Sequence, residues 1–227
     1  MRWARTPGHD SYWYYSPLFF EAIVSRPGRE TLDVGCGEGR VTRDLVSAGH
    51  RATGVDASPT LIRRAAEADR QSRYVVGDAT SLPFADAAID LAVAYNSLMD
   101  MEDMPKAILE IGRVLEPRGK LCFSVTHPVN DAGRFSDHEP EASFVIGGSY
   151  FGERRYDEPE ERDGLTMRFR GWRHSLQDYA QAFEQADLLI ETLREPAAPE
   201  TLASERSSYK RWQRIPLFLF GRAVKRA

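Results

Sequence analysis

The chain has 227 residues, 42% of them hydrophobic and 28% charged, with a formal net charge of −4. That size suits one α/β domain spanning 1–227 with an insertion, able to bury most of its unfolded surface without a disulfide or a metal. The mild negative charge offers no general attraction to nucleic acid or an anionic membrane.

The two cysteines, Cys36 and Cys122, fall in segments that read as a turn and a core strand, which suits a reducing compartment. No charged-then-apolar leader opens the sequence, and apolar runs such as Leu217 to Phe220 are too short to span a bilayer. A cytoplasmic location is expected.

Residues 1–28 are crowded with aromatics, among them Trp3, Tyr12, Trp13, Tyr14, Tyr15, Phe19 and Phe20. They read as a helical cover. From Thr31 onward short apolar runs alternate with helical patterns, the mark of a mostly parallel sheet flanked by helices. Strands are expected at Thr31–Val34, Ala52–Val55, Tyr74–Val76, Ile89–Ala94, Lys120–Val125, Leu188–Leu193 and Leu217–Val224. Between them, helical spacing appears around Val41, Leu45 and Val46, after Ser58-Pro59, over Met104–Leu115, and over Ser175–Ala186. Ser175 and Asp178 stand at capping-box spacing. Residues 129–174, rich in glycine, charge and aromatics, break the alternation and read as an insertion or lid. Both irregular segments are expected over the carboxyl ends of the strands, where open α/β sheets bind ligands.

Asp33-Val34-Gly35-Cys36-Gly37-Glu38-Gly39 lies between the first strand and the first helical pattern. Its glycines permit a tight turn and let backbone approach a ligand closely. Asp56 ends the second strand, at the spacing of a carboxylate that accepts two ribose hydroxyls, and Asp78 follows the third. A nicotinamide dinucleotide fold is the main competitor. Its fingerprint needs a glycine at position 40, where this chain has Arg40. Asp33 also suits a cationic amino-acid end better than a pyrophosphate.

The run Leu32 to Gly39 resembles motif I of the class I S-adenosylmethionine-dependent methyltransferases. Gly54-Val55-Asp56-Ala57-Ser58 resembles the next motif, Gly77-Asp78-Ala79 with Leu82-Pro83-Phe84 the third, and Arg113 to Gly119 the turn into strand five, with Arg118 where glycine is commoner. The resemblance implies a doubly wound seven-stranded sheet with an antiparallel last strand. It also implies S-adenosyl-L-methionine as cofactor and S-adenosyl-L-homocysteine as product. The implied cofactor-binding residues are Asp33, Gly35, Cys36, Gly37, Gly39, Asp56, Ala57, Asp78, Ala79, Asn96 and Ser97.

Transfer from a sulfonium is an in-line displacement, aided by positioning and by a general base when the acceptor must lose a proton. Candidates for that base are His9, Tyr14 and Tyr15 in the N-terminal cover and His127 at the end of strand five. The spacing of the cover also suits a helix presenting His9, Tyr12 and Trp13 together, although aromatics at this density commonly form core. His127 has an equal alternative as a histidine bonding loop backbone. No metal-ligand spacing occurs.

The Asn/Asp-Pro-Pro-aromatic run of adenine methyltransferases is absent, Asn96-Ser97-Leu98 standing there instead, and so is a Pro-Cys nucleophile. Tyr95 to Asp100 with His127-Pro128 resembles small-molecule methyltransferases of actinobacterial type, some of which methylate indoles. A small aromatic acceptor is therefore expected, an indole being the sharpest form of that expectation. A protein substrate, a non-catalytic cofactor-binding role and a homo-oligomer stay open.

Overall fold

A computed structural model describes residues 3, 6, 9–24, 26–152, 154–162 and 164–227. The expected N-terminal cover therefore falls partly outside the described residues, at positions 1, 2, 4, 5, 7, 8 and 25.

The chain opens with α1 (Tyr12–Ala22) and then alternates β1 (Thr31–Val34), α2 (Arg40–Ser47), β2 (Ala52–Asp56), α3 (Pro59–Ala68), β3 (Arg73–Val76), β4 (Ile89–Tyr95), α4 (Met104–Val114) and β5 (Leu115–Thr126). A short helix α5 (Pro128–Ala132) and two hairpins follow, β6 (Gly133–Phe135) with β7 (Phe144–Ile146) and β8 (Arg154–Arg162) with β9 (Leu165–Arg173). The fold closes with α6 (Leu176–Gln185), β10 (Leu188–Arg194), α7 (Glu200–Glu205) and β11 (Phe218–Lys225).

Seven strands form one sheet in the order β10-β11-β5-β4-β1-β2-β3, with β11 antiparallel to both neighbours. The expected doubly wound sheet with its antiparallel last strand is the architecture observed. Strand order reverses beside β1, whose Asp33 pairs with Gly54 of β2 and Val93 of β4. The carboxyl ends of β1, β2 and β4 are thus brought together at a topological switch point, where such sheets open a crevice.

Each face of the sheet buries its own core, because successive strand residues point to opposite sides. Leu32, Val34, Ala92 and Ala94 face α4 and α6 through Ile108, Ile111 and Phe183. Leu91, Val93 and Tyr95 face α1 and α2 through Tyr15, Phe19 and Leu45. Helix starts follow from capping chemistry. Ser58 accepts from the Leu61 N–H at 3.3 Å and Asp103 from the Lys106 N–H at 3.1 Å. Ser175 and Asp178 complete the reciprocal box at 3.2 and 2.7 Å, satisfying donors that no helix can bond internally.

Several boundaries differ from expectation. The helix read through Leu115 stops at Val114, and β5 starts at Leu115, five residues before Lys120. Only Leu115 pairs early, with Ile89, before the ladder shifts and runs regularly from Lys120. The segment 129–174 is not a bare lid but holds α5 and both hairpins. In β8, Asp157, Glu158, Glu160 and Glu161 place acids on both faces, so no period-2 apolar signal announces the strand. Cross-strand pairs support it instead: Arg170 meets Asp157 at 3.2 Å and Arg173 meets Glu158 at 2.6 Å.

Candidate active site

The turn between β1 and α2 is built on backbone hydrogen bonds to β2. Gly35 and Cys36 N–H groups both donate to the Val55 carbonyl, at 2.8 and 3.0 Å. Asp56 clasps the turn with both oxygens, Oδ2 accepting from the Gly37 N–H at 2.9 Å and Oδ1 from the Ser58 N–H at 2.8 Å. Gly35, Gly37 and Gly39 have φ of 73°, 57° and 80°, the left-handed region that only glycine occupies freely. Their surroundings differ. A Cβ on Gly35 would lie 2.5 Å from the Ser97 Cβ, and one on Gly39 would lie 2.7 Å from the Tyr74 ring. A Cβ on Gly37 would meet nothing within 4 Å. Two glycines serve packing, and the middle one leaves its backbone open to space.

Two cavities meet here. A cavity of about 500 Å³ is lined by Asp56, Ala57, Asp78, Ala79 and Ser97, and a cleft of about 1740 Å³ is lined by Cys36, Gly37 and Asn96; Gly35 and Asp100 border both. Nine of the eleven expected cofactor residues thus face these spaces. Gly39 and Asp33 lie behind them. Asp33 is buried under the turn, where the Thr42 hydroxyl donates to its carboxylate at 2.6 Å. Burial pushes its carboxyl up to about 7, Asp56 adding repulsion and the Thr42 hydrogen bond opposing. Asp78 behaves oppositely, held below the usual carboxylate range by hydrogen bonding from Thr80.

Asn96 ends β4 with φ 51°, a left-handed conformation that asparagine tolerates better than most residues. Ser124 of β5 fixes it from both sides, its carbonyl accepting the Asn96 N–H at 2.8 Å and its hydroxyl donating to Asn96 Oδ1 at 2.6 Å. Ser97 donates to the Val34 carbonyl at 2.7 Å, locking the β4 end to β1. Burial raises the Cys36 thiol, so this cysteine stays protonated.

The four candidate bases do not border either cavity. Tyr15 is fully buried, its ring edge-on to Phe218 at 5.0 Å. Tyr14 donates to Glu205 at 2.8 Å. His9 precedes α1 and is buried against Trp3, with ring centroids 4.5 Å apart. His127 caps α5: its Nδ1 accepts from the Val129 N–H at 3.1 Å and its Nε2 meets Glu195 Oε1 at 2.8 Å. Both ring nitrogens are engaged, so the neutral ring has no free lone pair. Burial lowers its pKa, with Glu195 opposing. The expected grouping of His9, Tyr12 and Trp13 on one helix face does not form, because α1 starts at Tyr12 and Trp13 is 41% exposed.

Of the aromatics expected in the N-terminal cover, Tyr12 does line the cleft, and the Arg40 guanidinium lies 3.6 Å from its ring centroid and pairs with Asp10 at 3.1 Å. Tyr95 and Asp100, from the run quoted after β4, line it too, as do Tyr156 and Phe169, which no sequence pattern singled out. The β8–β9 hairpin crosses the end of β4 here: a Cβ on Gly171 would fall 2.6 Å from the Met99 carbonyl oxygen and 2.7 Å from the Tyr156 hydroxyl. Among the described residues no group of three His, Cys, Asp or Glu could hold a metal, and no helix is long and apolar enough to cross a membrane.

The sheet order, the glycine turn and the acids at the ends of β2 and β3 define the class I methyltransferase fold. Residues 32–123 match the family described as a methyltransferase domain. Malonyl-[acyl-carrier protein] O-methyltransferase of Serratia marcescens is 34% identical over 100 residues, covering 44% of this chain and 39% of the relative. Demethylmenaquinone methyltransferase of Renibacterium salmoninarum is 31% identical over 112 residues, 49% of this chain and 47% of the relative. The matched segment thus spans less than half the length of these curated relatives. An S-adenosylmethionine-dependent methyltransferase from Mesorhizobium loti superposes with a TM-score of 0.76 at 20% identity, covering 95% of this chain and 98% of that one.

Proposed function

We propose that this chain transfers a methyl group from S-adenosyl-L-methionine to a small aromatic acceptor and releases S-adenosyl-L-homocysteine. The observation that carries the reading is the open face of Gly37 on a cleft joined to an acid-lined cavity at Gly35 and Asp100. Asp56 and Asp78 offer carboxylates to ribose hydroxyls and a polar heterocycle edge, while Asp33 lies under the turn as the counter-charge for an ammonium. When bound, the sulfonium supplies an electrophilic methyl group. Asn96 and Ser97, held by Ser124 and Val34, would fix the amino-acid end.

The acceptor class follows from the cleft wall. Trp3, Tyr12, Tyr95, Tyr156, Phe169 and Phe218 border one space, and such rings stack on a flat molecule. An indole or a related natural-product ring is the specific form of this proposal. A second reading, a carrier-tethered acceptor, draws on the arginines of the cleft, among them Arg134, Arg170 and Arg206, and on the carrier-protein relatives.

The test is incubation of the purified chain with S-adenosylmethionine and a panel of indoles, phenols, amines and keto acids, with mass spectrometry for products one methyl heavier. Methylated aromatic product supports the proposal. Tight binding of S-adenosylhomocysteine with no product anywhere favours the tethered or non-catalytic alternative.

A further inference from the structure

Asp100 is the acidic side chain that borders both cavities. It ends a single 3₁₀ turn, Leu98–Asp100, that follows β4, and the turn is anchored by buried Leu98 and Met99 and by the Asp100 N–H bond to the Ser97 carbonyl at 3.0 Å. The acids at the ends of β1, β2 and β3 are engaged. Asp33 holds Thr42, Asp56 holds Gly37 and Ser58, and Asp78 holds Thr80 at 2.8 Å. Among the described residues no hydrogen bond or ion pair engages the carboxylate of Asp100, which stays exposed where the two cavities adjoin.

Its surroundings disfavour a standing negative charge. Asp56 of β2 repels it, and it interacts with Tyr156 of β8 and Tyr179 of α6, near which Asp131 of α5 adds a further negative charge. Arg173 of β9 is turned to the Tyr156 ring, 5.2 Å from its centroid, and is paired with Glu158. Glu102 and Asp103 follow along the wall of the smaller cavity. Desolvation by the surrounding cavity walls, with repulsion from Asp56 second, raises the Asp100 carboxyl to about 7 although its side chain keeps contact with solvent, a value suited to accepting a proton near neutral pH.

Resting on the methyl-transfer reading, we propose that Asp100 is the proton acceptor of this site and that it selects acceptors carrying an O–H or N–H over acceptors that are already carboxylates. In the step, the acceptor's electron pair forms the bond to the methyl carbon, and the carbon–sulfur pair returns to sulfur and cancels its positive charge. The proton of the O–H or N–H passes to an Asp100 oxygen. A carboxylate acceptor has no proton to give and meets a like charge at the same position. This separates the chain from any ester-forming relative.

The experiment compares the wild-type chain with Asp100→Asn and Asp100→Glu. Titration calorimetry with S-adenosylhomocysteine comes first, and failure of the wild-type chain to bind it overturns the methyl-transfer reading on which this rests. On the S-adenosylhomocysteine-loaded protein, ligand-observed NMR then compares 2-naphthol with 2-naphthoate at pH 8. The expected result is wild-type binding of the naphthol in preference to the naphthoate, with the preference lost or reversed in Asp100→Asn. With S-adenosylmethionine, transfer to hydroxyl and N–H probes should rise with pH through about 7. It should fall roughly 100-fold in Asp100→Asn, the usual scale of a general base, and recover in part in Asp100→Glu. Equal binding of the two probes by wild type and Asp100→Asn, binding of neither by a loaded protein, methylation of a carboxylate probe, or full activity in Asp100→Asn would each overturn the proposal.

Discussion

Thr42 donates its hydroxyl to Asp33 at 2.6 Å beneath the glycine turn, and its backbone N–H supports the same buried carboxylate. These hydrogen bonds do not offset the loss of hydration, so the Asp33 carboxyl is pushed up to about 7. The folded-state pKa is therefore above the unfolded value. Between about pH 4 and pH 7 the folded chain holds more protons than the unfolded one, so this group's contribution to stability declines as pH rises through that window.

In the proposed site an ammonium near Asp33 would favour its ionised form and so link cofactor binding to proton release. S-adenosylhomocysteine affinity should fall about tenfold from pH 8 to pH 6, as protonation across a pKa near 7 requires. Calorimetry in buffers of different ionisation enthalpy measures both the affinity and the released proton. Asp33→Asn should bind weakly at every pH with no such slope. A pH slope that survives in the variant would assign the proton elsewhere.

Gly35 and Gly37 share a backbone conformation but not a neighbourhood, so alanine should separate them. Gly35→Ala drives a methyl group into Ser97, 2.5 Å away, and should cost several kcal/mol with loss of cofactor binding. Gly37→Ala carries only the left-handed backbone cost of about 1–2 kcal/mol, because no atom lies within 4 Å of the added carbon. It should fold, melt a few degrees lower, and still lose most S-adenosylhomocysteine affinity as the methyl enters the cleft. Thermal melts beside calorimetry check the pair. Undiminished affinity in Gly37→Ala would remove this face of the turn from the cofactor site.

The sheet and the glycine turn were legible because their signals are local. An apolar run closed by glycine, or a strand ending in Asp56, needs no knowledge of distant residues. The cleft was less legible, since its wall comes from elements far apart in sequence. Tyr12, Tyr95 and Tyr156 border one cleft from positions up to 144 residues apart, and nothing in the run Tyr12 to Tyr15 says which ring faces the cleft and which the sheet. The charges of β8 concealed a strand. Asp100 gave no signal of its own because its distinction is its place between the two cavities, which only the surrounding geometry can reveal.

His127 illustrates the same limit from the other side, and its role in holding α5 can be tested. His127→Ala removes the cap on the Val129 N–H and the contact to Glu195, and should destabilise the fold by about 1 kcal/mol. Its pKa lies below the ordinary histidine value, so the unfolded chain binds more protons near pH 6. Stability from this group is present above about pH 6.5 and declines as pH falls through the window below it. Denaturant melts at pH 5.5 and 7.5 should therefore show a smaller difference between wild type and variant at the lower pH. Methyl transfer per folded molecule should stay within about threefold of wild type, and a hundredfold loss would restore His127 as the base.

Arg118 supplies the last prediction, from a departure in sequence that the structure explains. In the turn before the regular part of β5 it has φ 66°, a left-handed conformation at the position where the resembled motif commonly has glycine. A side chain there costs about 1–2 kcal/mol, whereas glycine loses roughly 0.5–1 kcal/mol through the greater freedom of its unfolded chain. Arg118→Gly should therefore stabilise the protein by about 0.5–1 kcal/mol, read as a rise of a few degrees in melting temperature. Arg118 borders neither cavity, so S-adenosylhomocysteine affinity should not move. A drop in melting temperature would mean that the arginine side chain contributes more to this turn than its backbone conformation costs.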